Sequence, residues 1–258
     1  MMSTASAIYP SLAGRIVVVT GGATGIGAEM VRRFAEQGAL VSLLDIDEAA
    51  GRALADDLNT ECESLRVTFH ACNVTDIHGL KGTIEDIGRA HGRIDVLVNN
   101  AANDARHDWR TLTPEAWDAC LDVNLKHHFF AAQAAHPFMS AAGGGSIICL
   151  GSISWLNNTV GMVGYTTSKA AIHGLVRTLA RLFGGNRIRV NALLPGWTMT
   201  ERQRALWVDD AARAEIAEKQ ALPMALEPAD IAAMALFLAA DDSRMCTQQM
   251  FVVDGGWI

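Results

Sequence analysis

A tyrosine and a lysine four positions apart suggest acid–base chemistry in the middle of the chain. Tyr165 and Lys169 open a segment with helical periodicity, and residues at i and i+4 of a helix share one face, so the two side chains can converge. A free tyrosine, with a pKa of about 10, is a poor base at neutral pH, but a neighbouring ammonium favours the phenolate. Ser152 lies at the end of an apolar run 13 residues before Tyr165. It can hold a substrate oxygen while Tyr165 transfers the proton.

A glycine-rich turn near the start of the chain predicts a phosphate site. Segment 21–27, GGATGIG, follows a strand-like run and precedes a helical pattern. Glycine lets the backbone approach a pyrophosphate closely, and a helix N-terminus offers free N–H groups and a partial positive charge. The spacing differs from the commoner G-x-G-x-x-G, so the position between a first strand and a first helix is the stronger indication. The residues predicted to bind the phosphates of a dinucleotide are Gly21, Thr24, Gly25, Ile26 and Gly27.

An aspartate at the end of the second predicted strand indicates which dinucleotide binds. A carboxylate at the position of Asp45 accepts hydrogen bonds from both ribose hydroxyls of an adenosine and repels a 2′-phosphate. Neither Thr24 nor Ile46 is basic, so no neighbouring cation favours that phosphate. The sequence therefore predicts NAD rather than NADP as the cofactor. Asn73 and Val74, after the third strand, are expected beside the adenine, although an asparagine in a turn needs no ligand.

These residues have to be positioned by a parallel sheet. Seven short runs are apolar nearly throughout rather than alternating, which is typical of strands buried on both faces. The runs are residues 15–20, 40–44, 66–71, 94–98, 146–150, 188–193 and 249–253. Helical patterns lie between them at 25–37, 76–90, 114–139, 165–182 and 228–239. The alternation predicts an α/β fold with a doubly wound, Rossmann-type, seven-stranded parallel sheet and helices on both faces, all within one domain, 1–258.

Two segments fit the alternation less well and are predicted to form the substrate cleft. Residues 99–113 form a polar loop after the fourth strand, and residues 195–227 form an extra, partly helical segment after the sixth. Ligands of open parallel sheets lie outside the carboxyl ends of the strands, where both segments begin. We therefore expect 195–227 to cover the substrate.

Composition excludes several other classes of function. The chain has 258 residues, 50% of them hydrophobic, and a net charge of −7 with no cluster of basic residues, so neither a nucleic acid nor an anionic membrane is an expected partner. No apolar run is long enough to cross a bilayer, and residues 1–10 lack the features of a secretory signal. The five cysteines are scattered and form no CxxC pair, which is typical of reduced thiols in a cytoplasmic protein without a metal site.

Taken together, the motifs resemble those of the short-chain dehydrogenase/reductase family. The residues that carry the resemblance are Thr20, Gly21, Gly25, Gly27, Asn99, Asn100, Ala101, Asn124, Ser152, Tyr165, Lys169, Pro195, Gly196 and Thr200. The resemblance implies that Tyr165 is the general acid/base and that Lys169 is its electrostatic partner and binds the ribose. It also implies that Ser152 orients the substrate and that Asn124 completes a proton relay through water.

The resemblance implies further contacts with the cofactor and a homotetramer. The loop after the sixth strand would hold the nicotinamide carboxamide near Thr198. The additional cofactor residues are Asn100, Ala101, Pro195, Gly196 and Thr198. Ala102 departs from the family pattern, which usually has glycine there, and its methyl group would crowd the cofactor or substrate slightly.

Polar and aromatic residues around the expected cleft favour a small polyol as substrate. Hydroxyl groups need directed partners, and the C–H face of a sugar packs on indole; a steroid or acyl chain would be expected to meet more aliphatic side chains. The candidate substrate residues are Asn103, Arg106, Ser154, Trp155, Trp197 and Arg202. The alternative is that the charged residues among them are solvated or make subunit contacts.

Local motifs, among them Asn103-Asp104 and Ser152-Ile153-Ser154-Trp155, resemble bacterial NAD-dependent aldopyranose 1-dehydrogenases, which act on sugars such as D-xylose or L-arabinose. That resemblance implies oxidation of the anomeric hydroxyl to a lactone, with hydride transfer to nicotinamide C4. The alternatives are a dehydrogenase for another secondary alcohol or a 3-hydroxyacyl substrate, and an inactive nucleotide-binding regulatory protein. The adjacent His127 and His128 are expected on a helix surface or in a subunit contact.

Overall fold

A computed structural model describes residues 7–61 and 66–258. The prediction that the first residues are not a secretory signal falls largely on residues 1–6, and these and Cys62 lie outside the described residues. The strands are β1 (Ile16–Thr20), β2 (Leu40–Asp45), β3 (Arg66–Ala71), β4 (Val96–Asn99), β5 (Gly145–Leu150), β6 (Ile188–Pro195) and β7 (Met250–Val253). They form a seven-stranded sheet in the order β3-β2-β1-β4-β5-β6-β7, and every pairing between neighbours is parallel. The predicted doubly wound sheet is confirmed.

Helices connect the strands. They are α1 (Gly25–Glu36), α2 (Glu48–Glu61), α3 (Ile77–His91), α4 (Pro114–Leu121), α5 (His127–Ala141), α6 (Val163–Phe183), α7 (Glu201–Leu206), α8 (Asp210–Lys219) and α9 (Pro228–Ala239). The segment 195–227 contains α7 and α8 and is partly helical, as predicted, whereas 100–113 contains no helix. None of the helices in the described ranges is both long enough and apolar enough to cross a membrane.

The sheet is buried on both faces, as its continuous apolar strands predict. Val17 and Val19 of β1 pack into a core with α1, α2 and α9, whereas Val18 packs into a second core with α3, α5 and α6. Alternate side chains of a strand point to opposite faces, so both sets must be apolar. Phe34 of α1 is completely buried in the first core, where truncation to alanine typically costs about 3–5 kcal/mol.

The segment 114–139 is helical throughout, as predicted, but it is not a uniform α-helix. A π-helical turn, Asp122–Lys126, separates α4 from α5. Such a turn inserts one extra residue into the helix and rotates the side chains that follow it. The buried Asn124 lies in the middle of this turn.

A buried carboxylate joins the amino ends of β1 and β4. Asp95, 2% exposed, accepts a hydrogen bond from the Ile16 N–H at 2.8 Å and pairs with the guanidinium groups of Arg15, at 3.0 Å, and Arg93. The strand β4 begins after Asp95, at Val96, and not at residue 94 as predicted. This cluster lies at the amino ends of the strands, whereas the candidate site lies at their carboxyl ends.

Candidate active site

Strand β5 and helix α6 bring Ser152, Tyr165 and Lys169 together. Lys169, 2% exposed, lies with its Nζ 5.5 Å from the centre of the Tyr165 ring and donates to the Leu150 carbonyl at 2.8 Å. The Ser152 side chain hydrogen-bonds to Tyr165 and accepts from the Ser154 N–H at 3.1 Å. Burial lowers the pKa of Lys169 to about 8, while the nearby Cys149 acts in the opposite direction. The predicted convergence of the tyrosine and the lysine is therefore present.

The acidity of Tyr165 differs from the expectation. Burial raises the pKa of its hydroxyl above the usual value, the carboxylate of Asp104 raises it further, and the hydrogen bond from Ser152 opposes the shift. The sequence predicts a lowered pKa because of Lys169, and for the polypeptide alone that prediction was wrong. The Lys169 ammonium is directed to a backbone carbonyl, and desolvation of the phenolate outweighs its charge.

The side chain of Asn124 is fully engaged with the backbone. Its Nδ2 donates to the carbonyls of Asn103, at 3.0 Å, and Cys120, at 2.9 Å, and its Oδ1 accepts from the Asn103 N–H at 2.9 Å. Both sides of the amide therefore hold loop 99–113 against the π turn. The amide makes no direct contact with Lys169 among the described residues.

The expectation that His127 and His128 lie on a helix surface or in a subunit contact was wrong. Both are completely buried, because the π turn that precedes them rotates this part of the helix inward. The His127 Nε2 lies 3.0 Å from the Ala101 carbonyl, and since a carbonyl only accepts, this nitrogen carries the hydrogen. Burial, reinforced by the charge of Lys169, lowers the pKa of His127 to about 3. Burial also lowers the pKa of His128 well below its usual value.

The glycine turn forms a cradle at the start of α1. Gly25 has φ +56°, a conformation that favours glycine. A Cβ at Gly27 would lie 1.9 Å from the carbonyl oxygen of Gly21, so the helix can approach the turn only without a side chain there. Thr24 precedes α1 but makes no side-chain capping bond, and the N–H groups of the first helical turn have no helical partner. This arrangement fits the pyrophosphate of a dinucleotide; Ile26 packs against the core beside it.

Asp45 lies at the carboxyl end of β2, where the ribose of such a nucleotide would be. Its Oδ2 accepts from the Ala23 N–H at 2.9 Å and its Oδ1 from the Asp47 N–H at 3.0 Å. Each carboxylate oxygen has a second lone pair, so two ribose hydroxyls can still donate to it. Ile46 beside it is 71% exposed, and no ion pair of the described residues involves Asp45.

The other predicted cofactor residues line the same edge of the sheet. Asn100 donates from Nδ2 to the carbonyl of Gly21 at 2.7 Å and thereby braces the turn, next to Ala101. Asn73 is exposed and its Oδ1 accepts from the Thr75 N–H at 3.0 Å, while Val74 is buried. Asn73 therefore forms a local turn, with only its Nδ2 left for a ligand.

The loop after β6 is tightly held. The Gly196 N–H donates to the Val253 carbonyl at 2.8 Å, and Pro195 is the last residue of the strand. Thr198 is 4% exposed, forms a bridge with Leu226 and donates from Oγ1 to the Gly196 carbonyl at 3.2 Å. The loop is rigid enough to present backbone groups to a carboxamide.

The predicted substrate residues separate into two cavities with no lining residue in common. Arg106 and Trp197 line a cavity of about 460 Å³ together with residues of α7 and α8, and the Arg106 guanidinium lies 4.2 Å from the centre of the Trp207 ring. Ser154 and Trp155 line a second cavity of about 350 Å³ against α6. Of the remaining two, Asn103 is held by Asn124. Arg202 is held by Asp104, the residue that follows Asn103 in loop 99–113.

Asp104 is the functional candidate that the sequence prediction missed. Its Oδ1 accepts from Arg202 Nε at 3.3 Å, and its Oδ2 accepts from Gln203 Nε2 at 2.6 Å. Gln203 in turn accepts from Trp197 Nε1 at 3.0 Å. The two segments predicted to flank the cleft are thus joined. Asp104 belongs to a motif that resembles aldopyranose dehydrogenases, but nothing in the sequence indicates its contacts with residues 98 and 99 positions away.

Comparisons with known proteins agree with this fold. A family model described as enoyl-(acyl carrier protein) reductase matches residues 21–258. A D-xylose 1-dehydrogenase of Caulobacter vibrioides is 42% identical over 252 residues, which cover 98% of this chain and 99% of that protein. A probable galactose dehydrogenase of Rhizobium meliloti is 40% identical over 99% of each chain.

Solved structures show the same architecture. A short-chain type dehydrogenase/reductase from Mycobacterium ulcerans superposes with a TM-score of 0.91 at 25% identity, over 96% of this chain and 90% of that one. A 7α-hydroxysteroid dehydrogenase, solved with NADH and 7-oxoglycochenodeoxycholic acid, superposes with a TM-score of 0.90 at 27% identity, over 96% of each chain. The similarity therefore extends over nearly the whole chain in both sequence and structure. This chain belongs to the short-chain dehydrogenase/reductase family, oxidoreductases that use a nicotinamide cofactor to act on CH–OH groups of small molecules.

Proposed function

We propose that this protein is an NAD-dependent sugar dehydrogenase that oxidises the anomeric hydroxyl of a pentose or related aldose to a lactone. The observation that carries the sugar class is the polar wall between loop 99–113 and α7, where Arg202 and Gln203 hold Asp104; the charge of Asp104 also acts on the pKa of Tyr165. Directed hydrogen-bonding groups suit a small polyol better than an acyl chain. The similarity to a D-xylose 1-dehydrogenase and a probable galactose dehydrogenase supports the same class.

In this proposal Tyr165 removes the proton of the anomeric hydroxyl. The Ser152 hydroxyl hydrogen-bonds to Tyr165 when no substrate is present. With substrate bound, it would donate its single hydrogen to the same substrate oxygen and fix the position of that oxygen. When bound, NAD accepts the hydride from the substrate carbon at nicotinamide C4, and its positive charge favours the Tyr165 phenolate. Lys169 adds a second positive charge and binds the ribose. The proton would then exchange with solvent through water, while the Asn124 side chain, engaged by the backbone of Asn103 and Cys120, holds the loop beside this path.

The proposed binding of the nucleotide is based on the cradle that the glycine turn forms at the start of α1. The glycine turn and the first turn of α1 would hold the pyrophosphate, and the carboxylate of Asp45 would accept the ribose hydroxyls and exclude a 2′-phosphate. Asn100 and Ala101 would line the nicotinamide end of the site and Thr198 would bind the carboxamide. This arrangement supports NAD over NADP.

The proposal also includes the oligomeric state and the cellular compartment. We infer a homotetramer from the resemblance to the family. Large apolar side chains such as Trp109 and Met245, 75% and 87% exposed on the single chain, are available for subunit contacts. Segment 195–227 covers the substrate. The cysteines of the described ranges are all free thiols, which supports a reducing, cytoplasmic environment. Light scattering on the purified protein tests the tetramer.

The decisive experiment is an absorbance assay at about 340 nm with NAD and a panel of pentoses, hexoses, polyols and 3-hydroxyacyl thioesters. We expect NADH formation with an aldopyranose and a lactone product, identified by its reaction with hydroxylamine. Turnover of a hydroxyacyl thioester with no sugar active would overturn the sugar assignment. Cofactor binding without turnover of any alcohol would support the regulatory alternative.

A further inference from the structure

Asp104 is fixed in the cleft by a chain of hydrogen bonds. Its side chain is 23% exposed, with Arg202 on Oδ1 at 3.3 Å and Gln203 on Oδ2 at 2.6 Å. Gln203 is itself oriented by the indole N–H of Trp197 at 3.0 Å. Each carboxylate oxygen retains a lone pair. The carboxylate is therefore oriented on one side by protein donors and can accept further hydrogen bonds on the other.

The charge of this carboxylate reaches the reacting group. Burial raises the pKa of Tyr165, the Asp104 carboxylate raises it further, as does the Cys120 thiol, and the hydrogen bond from Ser152 acts against the shift. The Lys169 Nζ lies 5.5 Å from the centre of the same ring. A negative charge here opposes the phenolate that the oxidation needs. Two side chains, Arg202 and Gln203, hold this carboxylate in place. The loop that carries it is tied beside the start of α6, because the His107 N–H donates to the Gly161 carbonyl at 2.8 Å. The carboxylate is therefore placed to act on a ligand bound next to Tyr165.

We propose that Asp104 binds the substrate by accepting hydrogen bonds from two hydroxyls that neighbour the reacting one, with Arg202 and Gln203 as positioning residues. This inference rests on the proposed function and names the group that selects a polyol. A substrate with no neighbouring hydroxyl would displace water from the carboxylate and leave its two free lone pairs without donors. The resulting loss of binding free energy discriminates against such a substrate.

The test compares Asp104→Asn with Asp108→Asn, a control on the same loop whose exposed carboxylate pairs with Arg110 at 2.8 Å. The substrates are D-xylose and cyclohexanol, which has one hydroxyl. For Asp104→Asn we expect kcat/KM for D-xylose to fall about ten- to a hundredfold. The kcat/KM for cyclohexanol should rise, because the charge that lacks a donor and opposes the phenolate has gone, and the KM for NAD should match the wild type. The acidic limb of the kcat–pH profile should move to lower pH, because the charge that disfavours the phenolate has gone. The control should match the wild type.

Equal losses with both substrates, or an acidic limb that stays in place, would show that Asp104 only holds the loop and would overturn the inference. The variant Asp104→Glu keeps the charge, so its pH profile should stay in place while sugar turnover falls. If Asp104→Asn does not fold, Gln203→Leu provides the second test, with a loss for D-xylose only. If the wild type oxidises cyclohexanol but no sugar, the proposed function itself is refuted. If the wild type oxidises sugars and Asp104→Asn has the same substrate selectivity, only the inference about Asp104 is refuted.

Discussion

Replacing Asp45 with alanine should change the preferred cofactor. In this structure the carboxylate ties the glycine turn to β2 through the N–H groups of Ala23 and Asp47, and each oxygen has one lone pair left for a ribose hydroxyl. Loss of two hydrogen bonds to a charged acceptor removes about 3 kcal/mol of binding. That corresponds to about a hundredfold decrease in kcat/KM for NAD.

The effect on NADP has the opposite sign. A 2′-phosphate placed where the ribose hydroxyls donate would lie beside the Asp45 carboxylate, and like charges at that distance repel strongly in a partly buried site. Alanine removes this repulsion without supplying a cation. We therefore expect the NAD/NADP preference to fall by at least about a hundredfold, mostly through the loss with NAD.

The assay is a pair of kcat/KM measurements with NAD and NADP at a saturating concentration of the best sugar. Asp47→Asn is the matched control, because Asp47 is exposed and its side chain accepts only from the Ala50 N–H at 3.0 Å, a role that asparagine can take over. An unchanged NAD/NADP ratio in Asp45→Ala would refute the ribose contact. A ratio that shifts equally in the control would show that the turn and not the carboxylate sets the preference.

Three further outcomes are expected. Tyr165→Phe should lower kcat by about 10²–10⁴-fold while calorimetry still detects NAD binding; retained turnover contradicts the proton role. Burial lowers the pKa of Lys169 to about 8, so the unfolded chain binds more protons between that pH and the usual lysine value. Stability should therefore rise with pH across this window by about 3 kcal/mol, and urea titrations of Lys169→Met should lack that rise. Asp95→Ala should lower the free energy of unfolding by about 2–3 kcal/mol, because the Ile16 N–H and Arg15 lose their buried partner; an unchanged urea midpoint would contradict this.

The elements that the sequence predicts best are those determined by local pattern. Strands buried on both faces require continuous apolar runs, so β1 and its neighbours could be located within about two residues. The glycine turn and Asp45 were predictable for the same reason, since the chemistry of a strand–turn–helix unit depends on residues close together in the chain. Tyr165 and Lys169 share one helix, and their convergence needs only the helical period.

The turn around Asn124 could not be predicted in this way. Helical periodicity runs through 114–139 without interruption, and a π turn needs only one extra residue within it. That residue decides the direction of the side chains that follow, and so His127 and His128 point into the core instead of outward. Polarity suggests that histidines lie at the surface, yet here one of them holds the Ala101 carbonyl beside the glycine turn.

The substrate recognition that we propose depends on contacts between residues far apart in the sequence. Asp104 meets Arg202 and Gln203 across sequence separations of 98 and 99 residues, whereas Tyr165 and Lys169 lie one helical turn apart. The reacting groups therefore remain in place whenever α6 forms, but the polar wall exists only when loop 99–113 and α7 meet. Substitutions in α7 can consequently alter which alcohol is accepted without moving the proton-transferring pair. The same scaffold can acquire a new substrate through changes at the contact of these two segments while its acid–base chemistry stays unchanged.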